Sequence, residues 1–166
     1  MQVPSQPNVA ALIDRIVADE LPNERGVGAW RALLQAHATL MRQLGTDLEK
    51  QTGLGLGDFD VLAQLAQAGG ELRMTELAAR VFSSRSGLTR RVARLVDEGL
   101  VQRTTADEDA RGVVVVLTDA GVARLIEAAP VHLRGVRDLF VARLNDRELA
   151  VLETALGKVT LDCTFG

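Results

Sequence analysis

Residues 74–99, MTELAARVFSSRSGLTRRVARLVDEG, constrain the fold of this chain more than any other stretch. They spell two amphipathic helices with almost nothing between them. The first spans residues 75–81 and has Leu77, Ala78 and Val81 on its apolar side. The break is Phe82-Ser83-Ser84, and the Ser84 hydroxyl is suited to accept an orphan amide of the following turn. The second helix spans residues 85–98. Its apolar stripe is Leu88, Val92, Leu95 and Val96, at helical spacing. Ser86, Thr89, Arg90 and Arg94 stand on the opposite side, and Gly99 ends the helix as a left-handed cap.

Charge gives this helix pair a functional meaning. Arg80, Arg85, Arg90, Arg91 and Arg94 occur between residues 80 and 96, with no acidic residue among them, although the whole chain carries a net charge of −3. A basic island on the second helix of a tight helix-turn-helix is the footprint of phosphate and base-edge contact. The bland alternative is a solvated helix face biased toward arginine.

The next segment strengthens the nucleic-acid reading. Residues 100–104 have the character of a short strand, residues 105–112 form a polar, charged tip, and Val113 to Leu117 is an unbroken β-branched and aliphatic run, hence a second strand. Two strands around a charged tip, directly after a recognition helix, make a winged helix. The stretch SGLTRRVARLVDEGLVQR (residues 86–103), the tip Asp109-Ala110-Arg111 and the junction Leu117-Thr118-Asp119-Ala120-Gly121 together resemble the MarR (multiple antibiotic resistance regulator) family of bacterial transcription factors. The likeness covers roughly residues 26–161. It implies a mainly α fold with a small β component (α+β): a winged helix-turn-helix over residues 57–117, flanked by dimerisation helices at 29–52 and 118–161, with residues 1–28 as an N-terminal extension.

The remaining sequence is consistent with that plan. At 166 residues the chain is one domain's worth, long enough for a real core. No apolar run approaches the ~20 residues needed to span a bilayer. The N-terminus MQVPSQPNV lacks the basic start and apolar core of a signal peptide, and the single cysteine, Cys163, has no internal disulfide partner, so a cytoplasmic location without membrane contact is expected. Asn8 is a candidate cap for a helix over residues 9–20, and residues 21–28 (LPNERGVG) read as a linker. A long helix over 29–52 carries the stripe Val27, Trp30, Leu34, His37, Met41, Leu44 and Leu48, whose regularity suggests helix-on-helix packing, including packing between subunits. Gly53-Leu54-Gly55-Leu56-Gly57 reads as a flexible break, followed by a helix from Asp58 through Ala68 and a small strand over 71–73. A helix capped by Thr118 should reach about residue 144 with a kink at Pro130. Asn145 and Glu148 form a capping box for a last helix reaching about residue 161.

Roles follow residue by residue. Ser84, Arg85, Ser86, Thr89 and Arg90 lie near the start or on the outer side of the recognition helix, where arginine pairs bidentately with guanine and hydroxyls reach bases or phosphates. Arg94, farther along, is a phosphate contact. Arg111 at the wing tip suits a minor groove, where the potential is most negative, and the family's Asp-x-Arg wing implies that Asp109 orients it. Arg91 and Arg103 read as surface or intramolecular pairs. The resemblance also implies a small aromatic or phenolic effector between the dimer helices and the winged helix; Trp30, His37 and Asp60 are the candidate contacts. The bland reading of Trp30 and His37 is a core tryptophan and a satisfied histidine at a subunit contact. The urate-responsive subgroup carries a tryptophan in its extra N-terminal helix, and residues 9–20 contain none.

Catalysis finds little footing. His37 and His132 are the only histidines and lie far apart, no Cys/His cluster has zinc spacing, and Gly53 to Gly57 lacks the Lys-Ser/Thr of a phosphate-binding loop. Neither enzymatic activity nor a cofactor or metal is expected. Peroxide-sensing relatives use a cysteine near the N-terminus, so Cys163 reads as incidental. The chain is thus expected to be a homodimeric, ligand-responsive repressor acting on a near-palindromic double-stranded operator. The alternative from another class is a winged-helix module that binds protein and not DNA, which should present an apolar recognition face rather than Ser, Thr and Arg.

Overall fold

The structure, a computed structural model, describes residues 8–21, 23–81, 84–105 and 112–162. The chain divides into two compact units, Met1–Leu40 and Met41–Gly166. The first holds α1 (Val9–Glu20) and the N-terminal part of α2 (Glu24–Thr52). Asn8 caps α1 as expected, its side chain accepting from the Ala11 amide at 3.3 Å. No residue of α1 is buried.

The linker expected over residues 21–28 is largely helix, because α2 begins at Glu24. The cause is Asn23. Its Oδ1 accepts from the Arg25 amide at 3.0 Å and its carbonyl from the Val27 amide at 3.2 Å, so it starts a helix that runs through Gly26 and Gly28. Each glycine costs a helix about 1 kcal/mol relative to alanine, which a long helix tolerates.

In the second unit, α2 contributes the buried Leu44 and Leu48. The glycine-rich segment after it is an ordered turn rather than a flexible break. Gly53 adopts φ 70°, its amide donates to the Glu49 carbonyl at 2.7 Å, and Leu54 enters the core. The next helix, α3 (Leu56–Gln67), therefore starts before Asp58, which sits in its first turn. It ends in a Schellman motif, with Gly70 N–H to Leu65 C=O at 2.8 Å and Gly69 N–H to Ala66 C=O at 3.2 Å.

The winged helix follows in the order expected: β1 (Glu71–Arg73), α4 (Met74–Arg80), α5 (Arg85–Asp97), β2 (Val101–Thr105) and β3 (Val113–Leu117). The sheet order is β1-β3-β2, antiparallel throughout, with Leu72 opposite Val115 and Val101 opposite Leu117. This register turns Leu72, Val101 and Val115 into the core formed by Leu48, Val61, Leu62, Leu65, Leu77, Leu88, Val92 and Leu95. Helix α5 is thus clamped from below by apolar packing, and its opposite side is left to solvent.

The junction after the wing explains its own sequence. Thr118 caps α6 (Asp119–Leu139): its Oγ1 accepts from the Gly121 amide at 3.0 Å and donates toward the carbonyls of Gly99 (2.7 Å) and Leu100 (2.9 Å). A Cβ on Gly121 would fall 2.7 Å from Leu117 Cδ1 and closer still to the Leu100 carbonyl oxygen. One threonine and one glycine therefore fasten the end of β3 to the C-terminal cap of α5.

Helix α6 continues past Pro130 but ends at Leu139, short of the expected residue 144. The chain breaks at Phe140 and makes one 3-10 turn, Val141–Arg143, whose Arg143 amide donates to the Phe140 carbonyl at 3.1 Å. The capping box before α7 (Asp146–Asp162) forms as expected: the Asn145 amide donates to Glu148 Oε2 at 2.9 Å, and the Glu148 amide to Asn145 Oδ1 at 3.1 Å. Arg124 of α6 donates to the Thr52 carbonyl, closing the C-terminal end of α2.

Candidate nucleic-acid interface

Two local devices fix the limits of α5. At its start the Gly87 amide donates to Ser84 Oγ at 3.2 Å. At its end Leu100 N–H bonds Leu95 C=O and Gly99 N–H bonds Val96 C=O, both at 2.9 Å, with Gly99 at φ 72°. Leu88, Val92 and Leu95 are completely buried. Ser84, Arg85, Ser86, Thr89 and Arg90 are all exposed, and no acidic residue stands in the first turn. The N-terminal end of the helix, where unpaired amides and the macrodipole favour anions, is therefore also its basic end.

These side chains differ in what they have left to offer. Among the described residues, the Arg85 and Arg90 guanidinium groups form neither hydrogen bond nor ion pair, so all five donors of each are available. Thr89 Oγ1 donates to the Arg85 carbonyl at 3.0 Å, which uses its one hydroxyl proton and leaves the exposed side chain its acceptor capacity and methyl group. Ser84 Oγ lies 3.4 Å from Ser86 Oγ, so the two hydroxyls form one polar patch at the helix start.

Three further arginines, Arg91, Arg94 and Arg103, turn to the protein. Arg103 Nη2 on β2 donates to the Thr89 carbonyl at 3.2 Å and ties the wing strand to the recognition helix. Arg91 Nη1 pairs with Asp58 Oδ1 at 2.9 Å. Arg94 Nη2 spans both Asp58 oxygens, at 2.6 Å and 2.5 Å. Arg91 and Arg103 thus make the intramolecular contacts expected of them, whereas Arg94, expected at phosphate, has a carboxylate partner. Asp58 was not anticipated as part of this face. It is 6% exposed, the one buried charged residue among those described. No local pattern links it to arginines 33 and 36 positions away.

Asp109 and Arg111, the expected wing contacts, lie outside the described residues. Of the expected effector contacts, Trp30 and His37 belong to the first unit and Asp60 to the second. Trp30 is 55% exposed, so it is not a core residue of its own chain, and His37 is exposed as well. Asp60 is half-buried on α3 and accepts from Gln64 Nε2 at 3.4 Å. On the same helix Phe59 stacks against His132 of α6, ring centroids 4.6 Å apart. Burial pushes the His132 pKa down, opposed by the nearby Asp60 carboxylate. Among the described residues no cluster of side chains is suited to a metal ion, and no helix is long and apolar enough to cross a membrane.

Comparison with known proteins agrees with this geometry. A profile of the MarR family matches residues 52–112, from the end of α2 through α3, β1, α4, α5 and β2 and ending just before β3. A helix-turn-helix-type transcriptional regulator of Bacillus cereus is 32% identical over 117 residues, covering 70% of this chain and 77% of the relative. The MarR family regulator Sco3205 from Streptomyces coelicolor, solved in complex with DNA, is 32% identical, with a TM-score of 0.76 over 83% of this chain and 90% of that one. The organohalide-sensing regulator RdhR-CbdbA1625, solved with 2,4-dichlorophenol bound, shares the fold over 98% of this chain and 90% of its own, at 21% identity and a TM-score of 0.73. A winged helix with an exposed Ser/Thr/Arg recognition face, a matching family profile and relatives of this similarity lead to one conclusion: the chain belongs to the MarR family of DNA-binding transcriptional regulators.

Proposed function

We propose that this protein is a homodimeric repressor. The α5 helices of the two protomers enter successive major grooves of a near-palindromic operator, and a small aromatic ligand releases them. The observation that carries the DNA-contact reading is the division of α5, with Leu88, Val92 and Leu95 fully buried and Arg85, Ser86, Thr89 and Arg90 exposed, the two arginines without an ion pair among the described residues. Arg90 and Arg85 are assigned to base edges or adjacent phosphates, and Ser84, Ser86 and Thr89 to the same groove. Arg111, oriented by Asp109, is assigned to the flanking minor groove.

The dimer is supported by apolar surface that one chain leaves uncovered. Helix α1 buries nothing, and α7 buries none of residues 146–160. Ile126, Leu133, Val151 and Val159 are each more than half exposed. A shallow groove of about 390 Å³ beside α7 is lined by Leu144, Val151 and Leu152 together with Arg147 and Glu148. Isolated helices of this length are marginal in water, and covering each large aliphatic side chain contributes about 1.5–3 kcal/mol. A second copy of the chain supplies that cover.

The effector reading rests on Trp30 and His37, which stand on one stripe of α2, and on Asp60. An exposed indole offers a stacking surface, and a carboxylate accepts from a phenolic hydroxyl. The 2,4-dichlorophenol held by RdhR-CbdbA1625 is the chemical precedent. The experiment is selection of duplexes from a random pool, followed by footprinting and titration at several salt concentrations. Half-sites should lie about 10 base pairs apart. Affinity should fall by about 10³-fold or more between about 50 and about 200 mM salt. A single asymmetric half-site would contradict the dimeric reading.

A further inference from the structure

Asp58 stands where three features of the fold meet. It lies in the first turn of α3, where the helix dipole favours a carboxylate. It is almost fully buried, yet its two partners come from the exposed basic helix. Its oxygens take Arg91 Nη1 at 2.9 Å and Arg94 Nη2 at 2.6 and 2.5 Å. The site is also sterically prepared, because the Arg91 guanidinium lies where a Cβ on Gly57 would be, 2.5 and 2.6 Å from its two terminal nitrogens. Gly57 has no positive φ to require glycine, so its missing side chain serves the approach of Arg91.

The two arginines are held differently. Arg91 is 27% exposed and enclosed between α3 and α5. Arg94 is 54% exposed, and a second carboxylate, Glu98, stands 3.9 Å from its Nε. Arg94 is thus a cation at the edge of the recognition surface whose charge is answered from within the protein. Phosphate binding releases counterions in proportion to the number of free cations that reach the backbone, and this part of the affinity carries no sequence information. A cation withheld from phosphate lowers binding to every sequence alike, and so raises the share of affinity that base contacts supply.

Resting on the DNA-binding reading above, we propose that Asp58 is a positioning and specificity-determining residue: through Arg91 it seats the recognition helix on α3, and through Arg94 it withholds one positive charge per protomer from the DNA backbone. Asp58 itself touches no DNA.

The test is a double-mutant cycle on the full-length protein. Wild type, Asp58→Asn, Arg94→Gln and the double variant are titrated by fluorescence anisotropy against a random-sequence duplex and against the best duplex selected by wild type. Asp58→Asn should steepen the slope of log K against log salt by about 0.9 per protomer. It should also strengthen random-duplex binding by about 3- to 4-fold per protomer at about 50 mM relative to about 200 mM salt, and lower the ratio of selected to random affinity. Arg94→Gln alone should leave the salt slope at its wild-type value, and in the double variant it should cancel the steepening. Arg94 is exposed, so its substitution reads out cleanly even if Asp58→Asn lowers the melting temperature. A shallower slope for Arg94→Gln in the wild-type background would make Arg94 an ordinary phosphate contact and overturn the proposal. An unchanged slope for folded Asp58→Asn would overturn it equally. Failure of wild type to bind any duplex would instead overturn the DNA-binding reading beneath it.

Discussion

Gly57 and Arg91 share one space: the Arg91 guanidinium nitrogens lie 2.5 and 2.6 Å from where a Gly57 Cβ would stand. Gly57→Ala therefore has two opposed effects. Alanine in a helix gains about 1 kcal/mol over glycine, while displacing Arg91 from Asp58 costs about 1.5–3 kcal/mol for a charged hydrogen bond at a half-buried site. The net change in stability should be a loss of about 2 kcal/mol or less. Denaturant unfolding measures it, and a gain of stability would mean that Arg91 has an equally good second position.

Gly121→Ala should behave quite differently. Here the obstruction is the Leu100 carbonyl, part of the backbone, which cannot swing aside as an arginine can. Overpacking of that kind should cost about 3 kcal/mol and move β3 away from the cap of α5. Thr118→Val keeps the shape but removes the hydroxyl that accepts from Gly121 and donates toward Gly99 and Leu100, for about 1–2 kcal/mol. If Gly121→Ala melts with wild type, the Thr118–Gly121 junction is not the fastening described.

What could be read from the sequence depended on range. Ser84, Gly99, Thr118 and the Asn145–Glu148 box were legible because a cap is a transaction among residues within one turn. The strand over 71–73 was legible because a winged helix needs it and the two glycines before it end α3. The start of α2 was misread because Gly26, Gly28 and Pro22 outweighed the single cap signal of Asn23. Gly53 to Gly57 looked flexible, but two of these glycines have specific tasks: Gly53 a left-handed turn, Gly57 room for Arg91. The Asp58 pairings escaped notice because contacts across 33 and 36 residues leave no periodic trace. The early end of α6 at Phe140 has no sequence signal that we identify.

Dimerisation is checked by light scattering, which should give twice the 17.8 kDa chain mass at micromolar concentration. Placing charge on the uncovered faces with Leu133→Glu and Val151→Glu should yield monomers with reduced helix content, since α7 then has no partner to bury against. A wild-type monomer, or a double variant that remains a dimer, would relocate or remove the interface.

The protein should lose stability below neutral pH through His132. Burial lowers its pKa in the folded state, with Asp60 opposing. A base with a depressed folded pKa favours the folded chain while it is neutral. Its contribution is therefore complete above the unfolded value of about 6.5, and is lost as pH falls from there through the folded pKa, because the unfolded chain takes up the proton first. Melting temperature should drop over that interval in wild type, and less in His132→Asn. Parallel curves for the two proteins would show that His132 does not titrate differently on folding.

If an aromatic effector acts through α2, His37→Ala should leave operator affinity nearly unchanged and weaken release by a phenolic ligand. The measurement is the shift in operator titration with and without 2,4-dichlorophenol as probe. A lowered melting temperature with an unaltered response would remove His37 from the effector site.

The most direct test of the account is the contribution of Arg90 to operator binding. Its guanidinium stands on the exposed side of α5, opposite the buried Leu88, Val92 and Leu95, with no internal ion pair among the described residues. Titrating wild type and Arg90→Ala against the selected operator and its single-base variants measures this. Arg90→Ala should lose about 1–3 kcal/mol on the operator and relax preference at one base position in each half-site, with an unchanged melting temperature. Equal affinity of the two proteins for the operator would contradict the assignment of α5 as the helix that reads DNA.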